Sequence, residues 1–273
     1  MQQNDFIEAS PLGDKSAYIT EYTPDLLFPI PRNMPWKPEF KKRPFYGIDV
    51  WNAFEISWLN YKGLPKMALA EFRIPADSPN IIESKSFKLY LNSFNQTKID
   101  NASQVQQRMV GDLSAAAGAP VQVTLFSLRD MAMPALPAPG DNIDQQDIEI
   151  TTYTPDASLL SSDVSVYRTE ILHSNLLKSN CPVTGQPDWA TLVVEYEGPT
   201  IDRAGLLAYI VSYREHGDFH EQCVEQIFLD IKAQCKPGQL TVYARYVRRG
   251  GLDINPYRST RPLAPSNHRT QRQ

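Results

Sequence analysis

The chain has 273 residues, enough for one large domain or two modest ones. Apolar residues make up 42% and charged residues 21%, the ordinary balance of a soluble globular protein. The 27 Lys and Arg against 31 Asp and Glu give a net charge of -4. This argues against nucleic acid as an obligatory partner, because a phosphate binder carries a basic excess. The opening MQQNDFIEAS lacks the basic start and apolar run of a secretory leader. No apolar stretch approaches the ~20 residues that cross a bilayer. The three cysteines, Cys181, Cys223 and Cys235, are too few and too uneven for a disulfide framework, and they fit a reducing cytosol.

In chain order, residues 1–43 read as an irregular arm, interrupted by Pro29, Pro31, Pro35 and Pro38. A first module, 44–133, follows. WNAFEISWLN and MALAEFRIPA read as strands around a turn at Gly63-Leu64-Pro65, helices are expected over Lys85–Asn95 and Ala102–Ala116, and PVQVTLFSL alternates as a strand. Pro134, Pro137 and Pro139, then Gly140 and Asp141, mark a linker over 134–145. The second module, 146–257, repeats the order: strands DVSVYRTEIL and ATLVVEYEG, helices over Arg203–Glu215 and Phe219–Gln234, then strand QLTVYARYV. Asp218 with Glu221 three positions on reads as a capping box. Residues 258–273 are locally basic and read as a solvated tail. The halves share pattern more than residues, which predicts an α+β fold of two tandem modules, each an antiparallel sheet with helices on one face.

Four places can carry chemistry. Cys181, in SNCPVTGQPDW, sits on a bent loop where a thiolate is accessible, and Asp188 follows seven residues on as a proton donor. A lone Cys is also usually a small core residue. His220-Glu221, in DFHEQC, opens a helix. A carboxylate there suits the paired N–H donors of a guanine-like edge, or it closes the capping box. Lys85 and Lys88 share the first turn of a helix whose Phe87, Tyr90, Leu91 and Phe94 form an apolar face, with Ser84 or Ser86 as the cap. Two lysines at the positive end of a helix make sense if a phosphate meets them and the free backbone N–H groups, and also as a solvated basic face. Arg248-Arg249-Gly250-Gly251 after a strand is either a phosphate grip or a plain turn. There is no G-x-G-x-x-G after a strand, no G-x-x-x-x-G-K-[ST] and no H-E-x-x-H. Cys181, His220 and Cys223 could hold zinc, but Cys223 adjoins the apolar stripe and no metal is expected.

ESKSFKLYLNSFNQT, LLKSNCPVTGQPDW, DFHEQC and YARYVRRGGLDINP together resemble the blocks of the NADPH-dependent 7-cyano-7-deazaguanine reductases of queuosine biosynthesis, in their long two-module branch. The match runs in order from about Tyr46 to Tyr257. The resemblance implies the tunnelling fold shared with GTP cyclohydrolase I, with the active site where two degenerate modules meet. It implies Cys181 as nucleophile, Asp188 as general acid and base, and Glu221 with His220 on the guanine-like edge. Ile81, Ile82 and Glu83 would line the base pocket. Ser84, Lys85, Lys88, Arg249 and Gly250 would contact NADPH. A cytosolic homodimer is expected, taking a small deazapurine substrate and touching neither nucleic acid nor membrane. Two rivals stay open: a zinc-dependent cyclohydrolase on the same fold, and a base-binding module without turnover.

Overall fold

The computed structural model describes residues 18–32, 43–129 and 134–273. The chain folds into two compact units. One draws on the described residues within 1–43, 49–132 and 248–253, the other on 44–48, 133–247 and 254–273. The architecture is α+β with mostly antiparallel strands, as the sequence predicts.

In the first unit, β2 (Tyr46–Leu59) and β3 (Pro65–Pro75) are strands of one sheet, joined through Gly63 at φ +80°, and β5 (Gln122–Phe126) pairs antiparallel with β3. In β3, Ala68, Ala70, Phe72 and Ile74 are buried in alternation, so the period of two in the sequence is the inward face. Two helices cover it. In α1 (Ser84–Asn92) the ring of Phe87 packs 4.9 Å from that of Trp51 and 5.1 Å from that of Phe72. Full burial of a Phe of this kind contributes roughly 1.5–3 kcal/mol. In α2 (Ala102–Ala117) Val105, Met109 and Leu113 form the buried stripe, Asn101 caps the start, and Gly118 ends the helix in the left-handed region.

The proline-rich arm is more ordered in its described part than its composition predicts. Pro29–Pro31 forms a short strand, β1, antiparallel to β4 (Asn80–Ile82). Upstream of it, Tyr22 N–H donates to Thr97 Oγ1 and Thr23 N–H to Ser93 Oγ. The Tyr22 and Tyr90 hydroxyls both donate to Asp112 Oδ2, at 2.8 and 2.6 Å. Prolines cannot donate to a ladder, so side chains supply much of the docking. Pro35 and Pro38 lie outside the described residues.

In the second unit a long hairpin, β8 (Ser162–Asn180) with β9 (Pro187–Ile201), is extended by β10 (Gln239–Tyr246) and β11 (Leu252–Ser259) on one side and β7 (Asp141–Asn142) on the other. Register shifts at Asp163/Tyr167 and Ser174/Leu177 bend the hairpin. Helix α3 (Arg203–Ser212) packs on β8, and α4 (His220–Cys235) packs on β10, with Val224, Ile227, Phe228 and Ile231 buried. The Tyr209 hydroxyl donates to Asp230 Oδ2 at 2.7 Å, tying α3 to α4.

Three expectations are corrected. The start of α4 is capped by Phe219 with no side-chain bond, so the Asp218–Glu221 capping box does not form. Asp218 instead takes the Phe219 N–H at 2.8 Å, while its own N–H donates to Asn180 O. The cap of α1 is Glu83, not Ser84 or Ser86. The basic stretch after Arg258 is not a solvated tail throughout. Arg258 itself is fully buried, 2.6 Å from Glu225 Oε1, and Arg269–Thr270 (β12) pairs with Ala135–Leu136 (β6).

Candidate active site

The second unit brings the thiol, acid and histidine elements to one end of the β8–β9 hairpin. Six residues, Cys181 to Gln186, turn the chain, closed by Cys181 N–H to Gln186 O and Gly185 N–H to Cys181 O, with Gly185 at φ +65°. Cys181 is partly exposed there. Asp188 pairs across the ladder with Ser179, two residues before Cys181, so thiol and carboxyl belong to the same hairpin end. The loop before α4 is laced to this end. Asn180 N–H donates to His216 O at 2.7 Å, and Lys178 Nζ donates to Arg214 O and Asn180 Oδ1.

This lacing delivers the first turn of α4 to Asp188. Asp188 is only 5% exposed, and its Oδ2 lies 3.3 Å from His220 Nε2. The His220 imidazole lies flat on the Tyr246 ring, centroids 3.7 Å apart and planes 5° apart. Its Nδ1 is buried with no hydrogen-bond partner among the described residues, a state folded proteins rarely leave without a ligand or water to fill it. Glu221 is 2% exposed and faces inward. Burial pushes the thiol of Cys223 and the phenol of Tyr246 well above their ordinary values, so neither ionises near neutrality. Cys223 is a core residue, and no group of three or more His, Cys, Asp or Glu that could hold a metal occurs among the described residues.

The first unit holds a cleft of about 600 Å³, a volume typical of small-ligand sites. Lys85 and Lys88 on α1 line it, with Glu55, Asn92 and the Gly250–Gly251 turn. The turn is pinned in place: Phe54 N–H donates to Gly251 O, the Arg248 guanidinium lies 4.6 Å over the Phe54 ring, and Asn52 donates to Asp253. Gly251, at φ +71°, adopts a backbone conformation strained for other residues, and a Cβ there, 2.4 Å from Glu55 Cδ, would displace the Glu55 side chain. A Cβ on Gly250 would sit 3.3 Å from Lys88 Cδ and crowd the lysine stem. Ser84 and Arg249 adjoin this cleft in sequence but are not among its walls.

The anion at the start of α1 is internal. Glu83 is fully buried and accepts from Lys85 N–H at 2.6 Å and Ser86 N–H at 2.7 Å. Burial raises its pKa, and those two N–H groups with the charge of Lys88 oppose the rise. The backbone donors of Lys85 and Ser86 expected to meet a phosphate are therefore taken, and the side chains of Lys85 and Lys88 line the cleft. Ile81 and Ile82 are buried beside Glu83 on β4. Sequence reasoning singled out the Gly250-Gly251 turn but missed Glu55, Asn92 and Tyr246. Only Tyr246 carried a signal, as an inward position of an alternating strand.

Two family models match the chain. One, described as nitrile reductase, 7-cyano-7-deazaguanine-reductase N-terminal, matches residues 18–125, and the other, described as QueF-like protein, matches residues 187–264. Together they span more than half of the sequence and both units. The modules are those of the tunnelling fold, and the protein is an oxidoreductase. The chain belongs to the 7-cyano-7-deazaguanine nitrile reductases of queuosine biosynthesis.

Proposed function

We propose that the protein reduces the nitrile of 7-cyano-7-deazaguanine to the aminomethyl group through a covalent bond to Cys181, with NADPH as reductant. The observation that carries this reading is the buried Asp188 beside His220 Nε2, at the end of the hairpin that bears Cys181. A nitrile carbon is linear and a poor acceptor. Addition of the Cys181 thiolate makes it a thioimide carbon while the nitrogen takes a proton from Asp188. His220, in contact with Asp188, can pass that proton on and receive one back. Nitrile to amine is a four-electron change, and NADPH supplies a hydride to each of two successive C=N bonds. After the first reduction the C–S bond breaks, Cys181 leaves as thiolate and an imine remains, which the site must shield from water.

Glu221, with His220 beside it, holds the two N–H donors of the guanine-like edge. The cleft over α1 fits the cofactor by its donor set. Lys85 and Lys88 present two cations on one helical turn, and the glycine turn keeps its wall thin. Ser84, Arg249 and Gly250 complete that assignment. The enzyme works as a homodimer in the cytosol, a setting in keeping with three unpaired cysteines. The test is turnover with 7-cyano-7-deazaguanine, counting NADPH against amine. Two NADPH oxidised per amine is the expected result. Binding of the base without oxidation would overturn it in favour of a non-catalytic module.

A further inference from the structure

Tyr246 shares no sequence block with His220, yet its ring is the surface on which the imidazole rests, nearly parallel at 3.7 Å. Aromatic pairs favour offset or edge-on packing over a face-to-face sandwich, so this arrangement depends on what holds the Tyr246 ring in place. The Tyr246 backbone is held on both sides. Its N–H donates to Asn255 Oδ1 at 3.2 Å, and its carbonyl accepts from Gln273 Nε2 at 3.1 Å. Gln273 is itself fully engaged. The same Nε2 donates to Asn255 Oδ1 at 2.8 Å, and its Oε1 accepts from Arg245 Nε and Thr270 N–H, both at 3.0 Å. A buried amide with every direction used is a rigid fixture.

We infer that Tyr246 is a positioning residue, a plate clamped by Asn255 and Gln273 that holds the His220 imidazole so that Nε2 meets Asp188. The inference rests on the reading above, in which Asp188 and His220 move the proton to the nitrile nitrogen. The ring does the work. Its phenol oxygen is buried with no hydrogen-bond partner among the described residues, so removing the hydroxyl while keeping the ring spares the plate. Loss of the plate or of its clamp leaves the imidazole free to tilt, and a misplacement near 1 Å costs on the order of 100-fold in rate.

The test is the rate at which 7-cyano-7-deazaguanine bonds to Cys181 without reductant, followed in Tyr246→Phe, Tyr246→Leu and Gln273→Ala, beside Asp188→Asn, with base affinity and melting temperature measured in parallel. Tyr246→Phe is expected to bond within about twofold of the unaltered protein. Tyr246→Leu is expected to fall on the order of 10- to 100-fold with base affinity held, and Gln273→Ala to lie between. Should Tyr246→Leu not fold, Gln273→Ala decides, because it leaves the ring in place. A folded Tyr246→Leu or Gln273→Ala at full rate, with Asp188→Asn slow, would overturn the plate and leave the reaction standing. Full rate in Asp188→Asn as well would overturn the proton route on which the plate depends.

Discussion

Two helices of this protein begin with a buried glutamate, and the two glutamates do different things. At the start of α1, Glu83 turns back on its own helix and takes the N–H groups of Lys85 and Ser86. At the start of α4, Glu221 sits one residue inside the helix and faces the interior, and Phe219 opens the helix without a side-chain bond. The first arrangement stabilises the fold. The second gives up a cap worth about 1 kcal/mol and keeps a carboxylate inside the unit that bears Cys181 and Asp188. On the proposed reading Glu221 serves a ligand where Glu83 serves its own helix, and the two are separable by experiment, because the first shows in binding and the second in stability.

The sharpest break between them comes from the thiol beside α4. Cys181→Ala should reduce turnover to background while the melting temperature moves little, since Cys181 is partly exposed on a turn. Glu221→Gln should raise the dissociation constant of the base roughly 10- to 100-fold, the loss of a charged hydrogen bond, measured by calorimetry. Lys85→Ala and Lys88→Ala should each weaken NADPH binding roughly tenfold and leave base affinity unchanged, read by cofactor fluorescence. Glu83→Ala should cost about 1–2 kcal/mol of stability, seen as a lower melting temperature.

The smallest effect sharpens the contrast between capping and titration. Asp144 is held below its ordinary pKa. Burial opposes this, but bonds from Ser174, Asn142 and Asn175 outweigh it. A depressed carboxylate contributes stability above its unfolded pKa and loses it as pH falls. The gap in melting temperature between the unaltered protein and Asp144→Ala should therefore be full near neutrality and close as pH drops through and below 3.8.

The strands and helices that the sequence revealed are those with one wet face and one dry face, such as β3 and α4, where period two or the helical stripe is unbroken. Strand β11 was not legible. All eight of its residues are buried, and Asp253, Asn255 and Arg258 bond to Asn52, Gln273 and Glu225, partners far away in sequence. Alternation cannot signal a strand dry on both faces whose polar groups are paired internally. Capping failed as a guide for a similar reason. Asp218 and Glu221 have the spacing of a box, but Asp218 is drawn to the hairpin through Asn180, a contact that local sequence does not encode. The candidate site was legible as blocks of residues. Which side chains within a block cap, line or stack depended on the fold.

The most direct test of the central claim is intact-mass and peptide mapping of the protein incubated with 7-cyano-7-deazaguanine in the absence of reductant. The account predicts a gain of one substrate mass on the peptide bearing Cys181, lost in Cys181→Ala. No gain, or a gain retained in Cys181→Ala, would contradict it.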